Sequence, residues 1–403
     1  MLFLTRLIMH EKTLNSPTVL LITDRSDLDD QLSRQFLNSK KFVGDNTVVE
    51  MESRDQLKDL LAKTASGGVF LTTIQKFADE FGELSTRHNI ICISDEAHRT
   101  SNNLDMKLVV KSDEVLKRYG FAKFLHTALP QATYIGFTGT PVDATMDVFG
   151  SVIDQYTMTD SVKDGITVRL VYDGRPARAT MDEGNVQKIE EYYKQCLAAG
   201  SNEYQVEASK KAVTNIAAIV GDDEVLNSVA DYFIDHYETR VKEGSTIAGK
   251  CMFVCLNRPI AFKFYNILKG KRPEWFKLKV APDGVELSEQ DRKELIPMPM
   301  CQFVATRSKD DSQEMYDLLG SDVARKTAAI QFKNIKSNFK IAIVVDLWLT
   351  GFDVPFLDTI YIDKPISQSH TIVQTVSRVN RSFAGKDSGL IVDFIGIKAL
   401  FFA

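Results

Sequence analysis

The sequence predicts an α/β fold of two parallel-sheet lobes joined by a mainly helical connector, and three observations carry that prediction. Short apolar runs recur along the chain: Thr18 to Thr23, Val69 to Thr73, Ile90 to Ser94, Thr133 to Thr138, Met252 to Leu256, Ile341 to Asp346, Thr359 to Asp363 and Leu390 to Asp393. Runs apolar on both faces read as central strands of a parallel sheet with helices on each side. Amphipathic stretches of helical length lie between them, such as Asp27 to Leu37 and Pro259 to Leu268. Strands that alternate with helices build α/β units with right-handed crossovers. The runs also fall in two groups, before about residue 140 and after about residue 250.

Taken in order, residues 1–150 form the first lobe, 151–245 the connector and 246–403 the second lobe. The connector reading rests on Asp182 to Asp223, which is polar, Ala-rich and helically spaced, with no strand cluster. A second polar stretch from Lys271 to Asp311 carries Pro273, Pro282, Pro297 and Pro299 and reads as a decoration of the second lobe, an insertion near 271–325. A chain of 403 residues has room for two or three domains at roughly 150 residues each.

Composition narrows the class. With 44% hydrophobic and 26% charged residues, 22 Gly and 11 Pro, the chain is neither collagen-like nor wholly disordered. Lys and Arg total 49 against 54 Asp and Glu, a net charge of −5, so any nucleic-acid contact has to use a local patch. The five cysteines are too scattered for a disulfide framework, and a reducing cytoplasm is the expected compartment. Cys251 and Cys255, on one face of a strand, lie roughly 13 Å apart and cannot share a metal. Arg6, His10, Glu11 and Lys12 interrupt the apolar start, which fits neither a signal peptide nor a membrane span.

The strongest local signal is Ile90-Ile91-Cys92-Ile93-Ser94-Asp95-Glu96-Ala97-His98-Arg99. An apolar strand ends at its carboxyl edge in two adjacent acids, where open α/β sheets bind ligands. An Asp there can hold Mg²⁺ while the next Glu orients and deprotonates a hydrolytic water. An isolated Asp-Glu pair reads as a solvated turn; the full Asp-Glu-Ala-His string favours the chemical reading. Tyr134-Ile135-Gly136-Phe137-Thr138-Gly139-Thr140-Pro141 is a second strand that ends in a hydroxyl- and Gly-rich turn. Further on, the spacing of Gln374, Arg378 and Arg381 predicts one helical face, with two guanidiniums suited to a phosphate. The bland alternative is a surface helix with solvated arginines. Upstream, Thr350-Gly351-Phe352-Asp353-Val354-Pro355 follows a strand that ends at Asp346, and that Asp is expected to pair with the arginines across a cleft.

These strings, in this order, resemble the helicase motifs of superfamily 2, of the DEAH kind. More narrowly, they resemble the motor part of the R subunit of type I restriction enzymes. The narrower likeness rests on Ile22-Thr23-Asp24-Arg25-Ser26-Asp27-Leu28-Asp29-Asp30-Gln31, Thr72-Thr73-Ile74-Gln75-Lys76-Phe77 and Val162-Lys163-Asp164-Gly165-Ile166-Thr167-Val168. Asp346-Leu347-Trp348-Leu349-Thr350-Gly351-Phe352-Asp353 and Tyr361-Ile362-Asp363-Lys364-Pro365 complete it.

The resemblance implies two RecA-like lobes, ATP and Mg²⁺ as ligands, and double-stranded DNA with the modification (M) and specificity (S) subunits as partners. It implies that Asp95 holds Mg²⁺ and Glu96 activates water. Thr138 and Thr140 would couple nucleotide state to DNA, while Gly351, Asp353 and Gln374 would line the nucleotide site. Arg378 and Arg381 would act as fingers to the γ-phosphate. Arg25, Thr73 and Lys76 would lie along a DNA backbone, in contacts that depend on salt and ignore sequence.

One part of such a motor is missing. No G-x-x-x-x-G-K-[ST] string occurs; Gly244-Ser245-Thr246-Ile247-Ala248-Gly249-Lys250-Cys251 has Cys in the hydroxyl position and leads into a strand rather than a helix. Met1 to His10 reads as the remainder of the helix that follows this loop in the family. No Glu-x-Lys occurs either, and Pro282-Asp283 with Asp291-Arg292-Lys293 is a poor stand-in for a nuclease triad. The expectation is a fragment of an R-subunit DNA translocase, deficient in ATP hydrolysis and without nuclease. The alternatives are a non-catalytic DNA- or subunit-binding remnant, or another superfamily 2 helicase.

Overall fold

The computed structural model describes residues 1–23, 26–44, 48–51, 53–73, 82–97, 107–111, 114–118, 121–139, 143–174, 217–349, 351–366 and 369–395. The chain divides into two compact units, Met1–Gln155 and Tyr156–Ala403. Both are α/β with parallel sheets, as the sequence predicts.

In the first unit, strands β1 (Thr18–Thr23), β2 (Val48–Glu50), β3 (Val69–Thr73), β4 (Ile90–Ser94) and β7 (Thr133–Gly136) form a sheet in the order β2-β3-β1-β4-β7, with every pairing parallel. Strands β5 (Lys107–Lys111) and β6 (Glu114–Arg118) pair antiparallel with each other. Alternate residues of β1, β3 and β4 feed two separate cores. Leu20, Ile22, Phe70, Ile90 and Cys92 pack with Leu57, Leu61, Leu125 and Leu129 on one face. Val19, Leu21, Val69, Leu71, Ile91 and Ile93 pack with Ile8, Phe36 and Val43 on the other. A sheet buried on both faces has no polar alternation, which is why the runs are legible as solid apolar blocks.

The second sheet runs β10-β11-β9-β12-β13-β8, again all parallel: β8 (Arg169–Gly174), β9 (Cys251–Cys255), β10 (Cys301–Val304), β11 (Ile341–Val344), β12 (Thr359–Asp363) and β13 (Ser388–Asp393). The helix Asp223–Lys242 begins where the Asp222 carboxylate accepts the N–H groups of Glu224 and Val225. It buries Leu226, Val229, Ala230, Phe233, Ile234 and Tyr237, a stripe at helical spacing. Asn257 caps the helix Arg258–Lys271 in the same way, with Pro259 in its first turn. Phe233, Phe253, Phe264 and Tyr361 interlock at the centre of this core.

Three features differ from the sequence reading. β8 lies within the stretch read as connector but is the edge strand of the second sheet, paired along its length with β13. β10 lies inside the polar interruption, where the Pro-rich flanks mask four strand residues. The helix Ser369–Val376 ends before Arg378 and Arg381, so the three residues from Gln374 onward do not share a helical face. The side chains explain the stop. Thr375 Oγ1 and Ser377 Oγ donate to the carbonyls of Thr371 and Val373, a back-bonding that weakens a helix end. The next residues are drawn to the sheet. Val168 N–H donates to Asn380 O at 2.7 Å, and a Cβ on Gly389 would stand 2.1 Å from Val379 O. Only glycine lets β13 approach that closely. Residues 175–216, which hold most of the helically spaced stretch from Asp182, lie outside the described residues.

Among the described residues, no helix is long and apolar enough to cross a membrane.

Candidate functional site

The acidic pair sits on a turn clamped by its neighbours. Asp95 N–H donates to Ile22 O of β1 at 2.9 Å, Phe137 N–H to Ser94 O at 2.8 Å and Ala97 N–H to Phe137 O at 2.8 Å. β4 therefore ends in a turn tied on one side to β1 and on the other to the residue after β7. Glu96 takes a left-handed backbone, φ 48°, an uncommon conformation for a side-chain-bearing residue and one that collects at functional sites. Its N–H donates to Asp95 Oδ1 at 3.1 Å. Burial pushes the Asp95 carboxyl above the ordinary range, against the lowering effect of that N–H.

Gly136 makes this turn possible. A Cβ there would lie 2.8 Å from Ala97 Cβ and 2.9 Å from Phe149 Cγ. Thr138 follows within two residues, half-buried and with partners of its own. Thr73 closes β3 in register with Thr23. Sequence reasoning missed Thr72 and Ser94, which flank Ile22 in one row across the sheet. Their buried hydroxyls have no hydrogen-bond partner. The signal available was a hydroxyl residue near the end of an apolar run. Arg25, Lys76 and Thr140 lie outside the described residues.

In the second unit, Arg378 Nη1 donates to Phe352 O at 2.9 Å and Nε to Gln374 O at 3.0 Å. Arg381 Nε lies 3.2 Å from Asp353 Oδ1, both side chains about half exposed. The loop after β11 thus holds both guanidiniums, through one carbonyl and one carboxylate. Asp346 does not pair with either arginine; its carboxylate binds Lys364 Nζ, which also reaches Val345 O. Lys364 follows β12, the second strand from β11 in the sheet. Gly351 turns the loop with φ 70°, and the Gln374 Oε1 is buried without a hydrogen-bond partner.

Two further groups were not legible from spacing. Asp363 and Asp393 end β12 and β13, both buried. Asp393 accepts the Tyr172 hydroxyl and the Ile395 N–H, while Asp363 Oδ2 has no hydrogen-bond partner. Beyond the carboxyl ends of β9, β10 and β11, a groove of about 300 Å³ is lined by Asn257, Arg258, Thr306, Asp346 and Leu347. The Arg258 guanidinium is fixed there by Asp311 at 3.1 Å and Thr306 O at 2.9 Å. Among the described residues, no cluster of three or more His, Cys, Asp or Glu could hold a metal.

Comparison with known proteins places these features in a family. The sequence model of the SWI2/SNF2 ATPase family matches residues 1–206, and that of type I restriction enzyme subunit R domain 3 matches residues 248–396. Over 410 residues and 98% of its length, the chain is 35% identical to the type I restriction enzyme HindI endonuclease subunit of Haemophilus influenzae. Over 405 residues and 94% of its length, it is 26% identical to the type I restriction enzyme SauMRSORF196P endonuclease subunit of Staphylococcus aureus. It spans 36% and 38% of those two proteins. Among solved structures, a fragment described as an HsdR subunit of a type I restriction enzyme from Vibrio vulnificus superposes with a TM-score of 0.53 at 14% identity. That match covers 96% of this chain and 54% of the other, and is a likeness of fold.

Proposed function

Because this chain belongs to the family of type I restriction enzyme endonuclease (R) subunits, we propose that it is a piece of the ATP-dependent double-stranded DNA translocase core of such a subunit. The observation that carries this reading is the clamped turn at Asp95 and Glu96, a carboxylate pair on the carboxyl edge of a parallel sheet. The edge offers oxygen donors, the Asp95 carboxylate with hydroxyls on the neighbouring strand ends, a set that suits Mg²⁺. When bound, Mg²⁺ supplies charge neutralisation at phosphate oxygens. Asp95 would be its ligand. Glu96, on the left-handed turn that follows β4, would orient water and take its proton. Arg378 and Arg381 would supply guanidinium donors to a γ-phosphate, a contribution of about 10³-fold or more in other phosphoryl-transfer enzymes. Thr138 and Thr140 would couple nucleotide state to DNA, and Gly351, Asp353 and Gln374 would line the nucleotide site. Arg25, Thr73 and Lys76 would meet the DNA backbone. The M and S subunits would be its partners in the cytoplasm.

The chain itself should hydrolyse ATP at or near background, since its sequence has no G-x-x-x-x-G-K-[ST] loop to cradle the phosphates. That same feature favours a second reading, a non-catalytic remnant that holds DNA or partner subunits. DNA-stimulated release of phosphate from ATP by the purified chain, measured beside duplex binding across a salt series, tests both. Background hydrolysis with binding that falls steeply with salt is expected. A rate comparable to intact motors overturns the deficiency, and salt-insensitive or absent DNA binding removes the translocase reading.

A further inference from the structure

Trp348 has a left-handed backbone, φ 68°, a genuine outlier for a bulky side chain. Glycine would serve the backbone without strain, so the explanation has to lie in what the indole touches. Its ring stacks on Phe352 with centroids 4.2 Å apart and planes 8° from parallel. Phe332 lies 5.3 Å away at 32° and Phe339 6.3 Å away at 48°, so the stack rests on an aromatic floor.

That floor is itself pinned. The Lys250 side chain is fully buried, and its Nζ donates to Phe332 O at 2.7 Å and Phe339 O at 3.0 Å. Lys250 Nζ also stands 4.9 Å from the centroid of the Phe332 ring, and Lys333 Nζ stands over the Phe352 ring, 4.8 Å from its centroid. At the other end of the stack, the Phe352 carbonyl accepts from Arg378 and the next residue, Asp353, pairs with Arg381. The sequence therefore runs from a buried lysine, through two phenylalanines and the indole, to the two groups that hold the arginines.

We propose that Trp348 is a positioning residue for Arg378 and Arg381. Its strained turn lays the indole on Phe352, and the stack sets the direction of the Phe352 carbonyl and the Asp353 carboxylate. This deepens the reading of the two arginines as phosphate-directed groups and rests on it, but its test needs neither nucleotide nor DNA.

The full chain is treated with phenylglyoxal, and the modification rates at Arg378 and Arg381 are read by mass spectrometry. Trp348→Ala and Trp348→Gly should raise both rates about threefold to tenfold, the span expected for the loss of an aromatic stack. Trp348→Phe, which keeps a ring on Phe352, should stay within about twofold of the parent. Phe352→Leu removes the stack from the other side and should match Trp348→Ala, which keeps the test valid if either indole-free variant fails to fold. Parent-like rates in folded Trp348→Gly or Phe352→Leu overturn the proposal, and so does a failure of Trp348→Phe to restore them. A failure of the translocase reading would appear in the ATP and DNA measurements and would leave these rates unchanged.

Discussion

Replacing Gly136 with alanine places a methyl group where the structure has no room for one. The new carbon would stand 2.8 Å from Ala97 Cβ and 2.9 Å from Phe149 Cγ. Carbon atoms rest about 3.5–4.0 Å apart, so roughly 1 Å must be opened in two directions at once. Ala97 resists, because its N–H is committed to Phe137 O at 2.8 Å and the turn is tied to β1 through Asp95 N–H at 2.9 Å. Phe149 closes the helix Asp143–Phe149 and moves only with it. Overpacking of this kind costs about 1–3 kcal/mol. Unit 1 spans Met1–Gln155, and for a unit of that size each kcal/mol lowers the melting temperature by about 2–4 °C. Calorimetry of the first unit's transition, with hydrogen exchange at the Ala97 amide, measures both effects. Under the role proposed for Glu96, a 1 Å displacement of its turn would cost about 10²-fold in rate in a motor with its full phosphate site. A melting temperature unchanged within about 1 °C, with the Ala97 amide as protected as before, would refute the claim that Gly136 sets the acidic turn.

Two buried groups in the second unit should give pH profiles of opposite sign. Burial, with Lys340 nearby, pushes Lys250 down from 10.5 to about 6. Between those values the unfolded chain binds a proton that the folded chain does not, so stability rises with pH by up to about 1.4 kcal/mol per unit. Subtracting Lys250→Met from the parent in urea titrations at pH 7 to 9 should isolate that slope; a flat difference means the carbonyl oxygens of Phe332 and Phe339 hold the ammonium and refutes it. Asp363 is pushed up from 3.8 to about 7 by burial, with the Asp393 carboxylate adding to the shift. Its contribution is fully present below about pH 4 and lost as pH rises through 7, so Asp363→Asn should gain on the parent by a few kcal/mol between those limits. A gain in the opposite direction, read by the same titrations, defeats that assignment.

The fold was legible wherever burial is symmetrical. β1, β3, β4 and β12 match the apolar runs end to end, because central strands of a doubly covered sheet need no polar alternation. β8 was not legible. As an edge strand it keeps Arg169, Val171 and Gly174 exposed, and its pattern resembles a loop. β10 was hidden by its neighbours, since four residues give too little period to stand out against Pro297 and Pro299. The helix that carries Gln374 was read five residues too far. Spacing records only which residues could share a face, whereas its end is set by the hydroxyls of Thr375 and Ser377 and by the approach of Gly389. The Lys364 partner of Asp346 was equally invisible, since it depends on the order of the strands in the sheet, where β9 alone separates β11 from β12.

What the sequence could not reveal about the site is backbone strain. Among the described residues, the non-glycine positions with positive φ are Asn15, Ser16, Glu96 and Trp348. Asn15 and Ser16 precede β1, at the amino end of the first sheet. Glu96 follows β4 and Trp348 follows β11, both at carboxyl edges. A strand that simply ran out would let the next residue keep an extended or helical backbone at no cost. At these two points the chain instead adopts a conformation that persists only where surrounding contacts over-determine it. Those contacts are visible in each case, backbone clamps to β1 and Phe137 around Glu96 and an aromatic stack around Trp348. In one unit the strained turn presents a carboxylate pair, and in the other it fixes the groups that hold two guanidiniums. Each unit, taken by itself, therefore places strain at the edge where parallel sheets bind ligands, and that placement distinguishes both turns from ordinary surface.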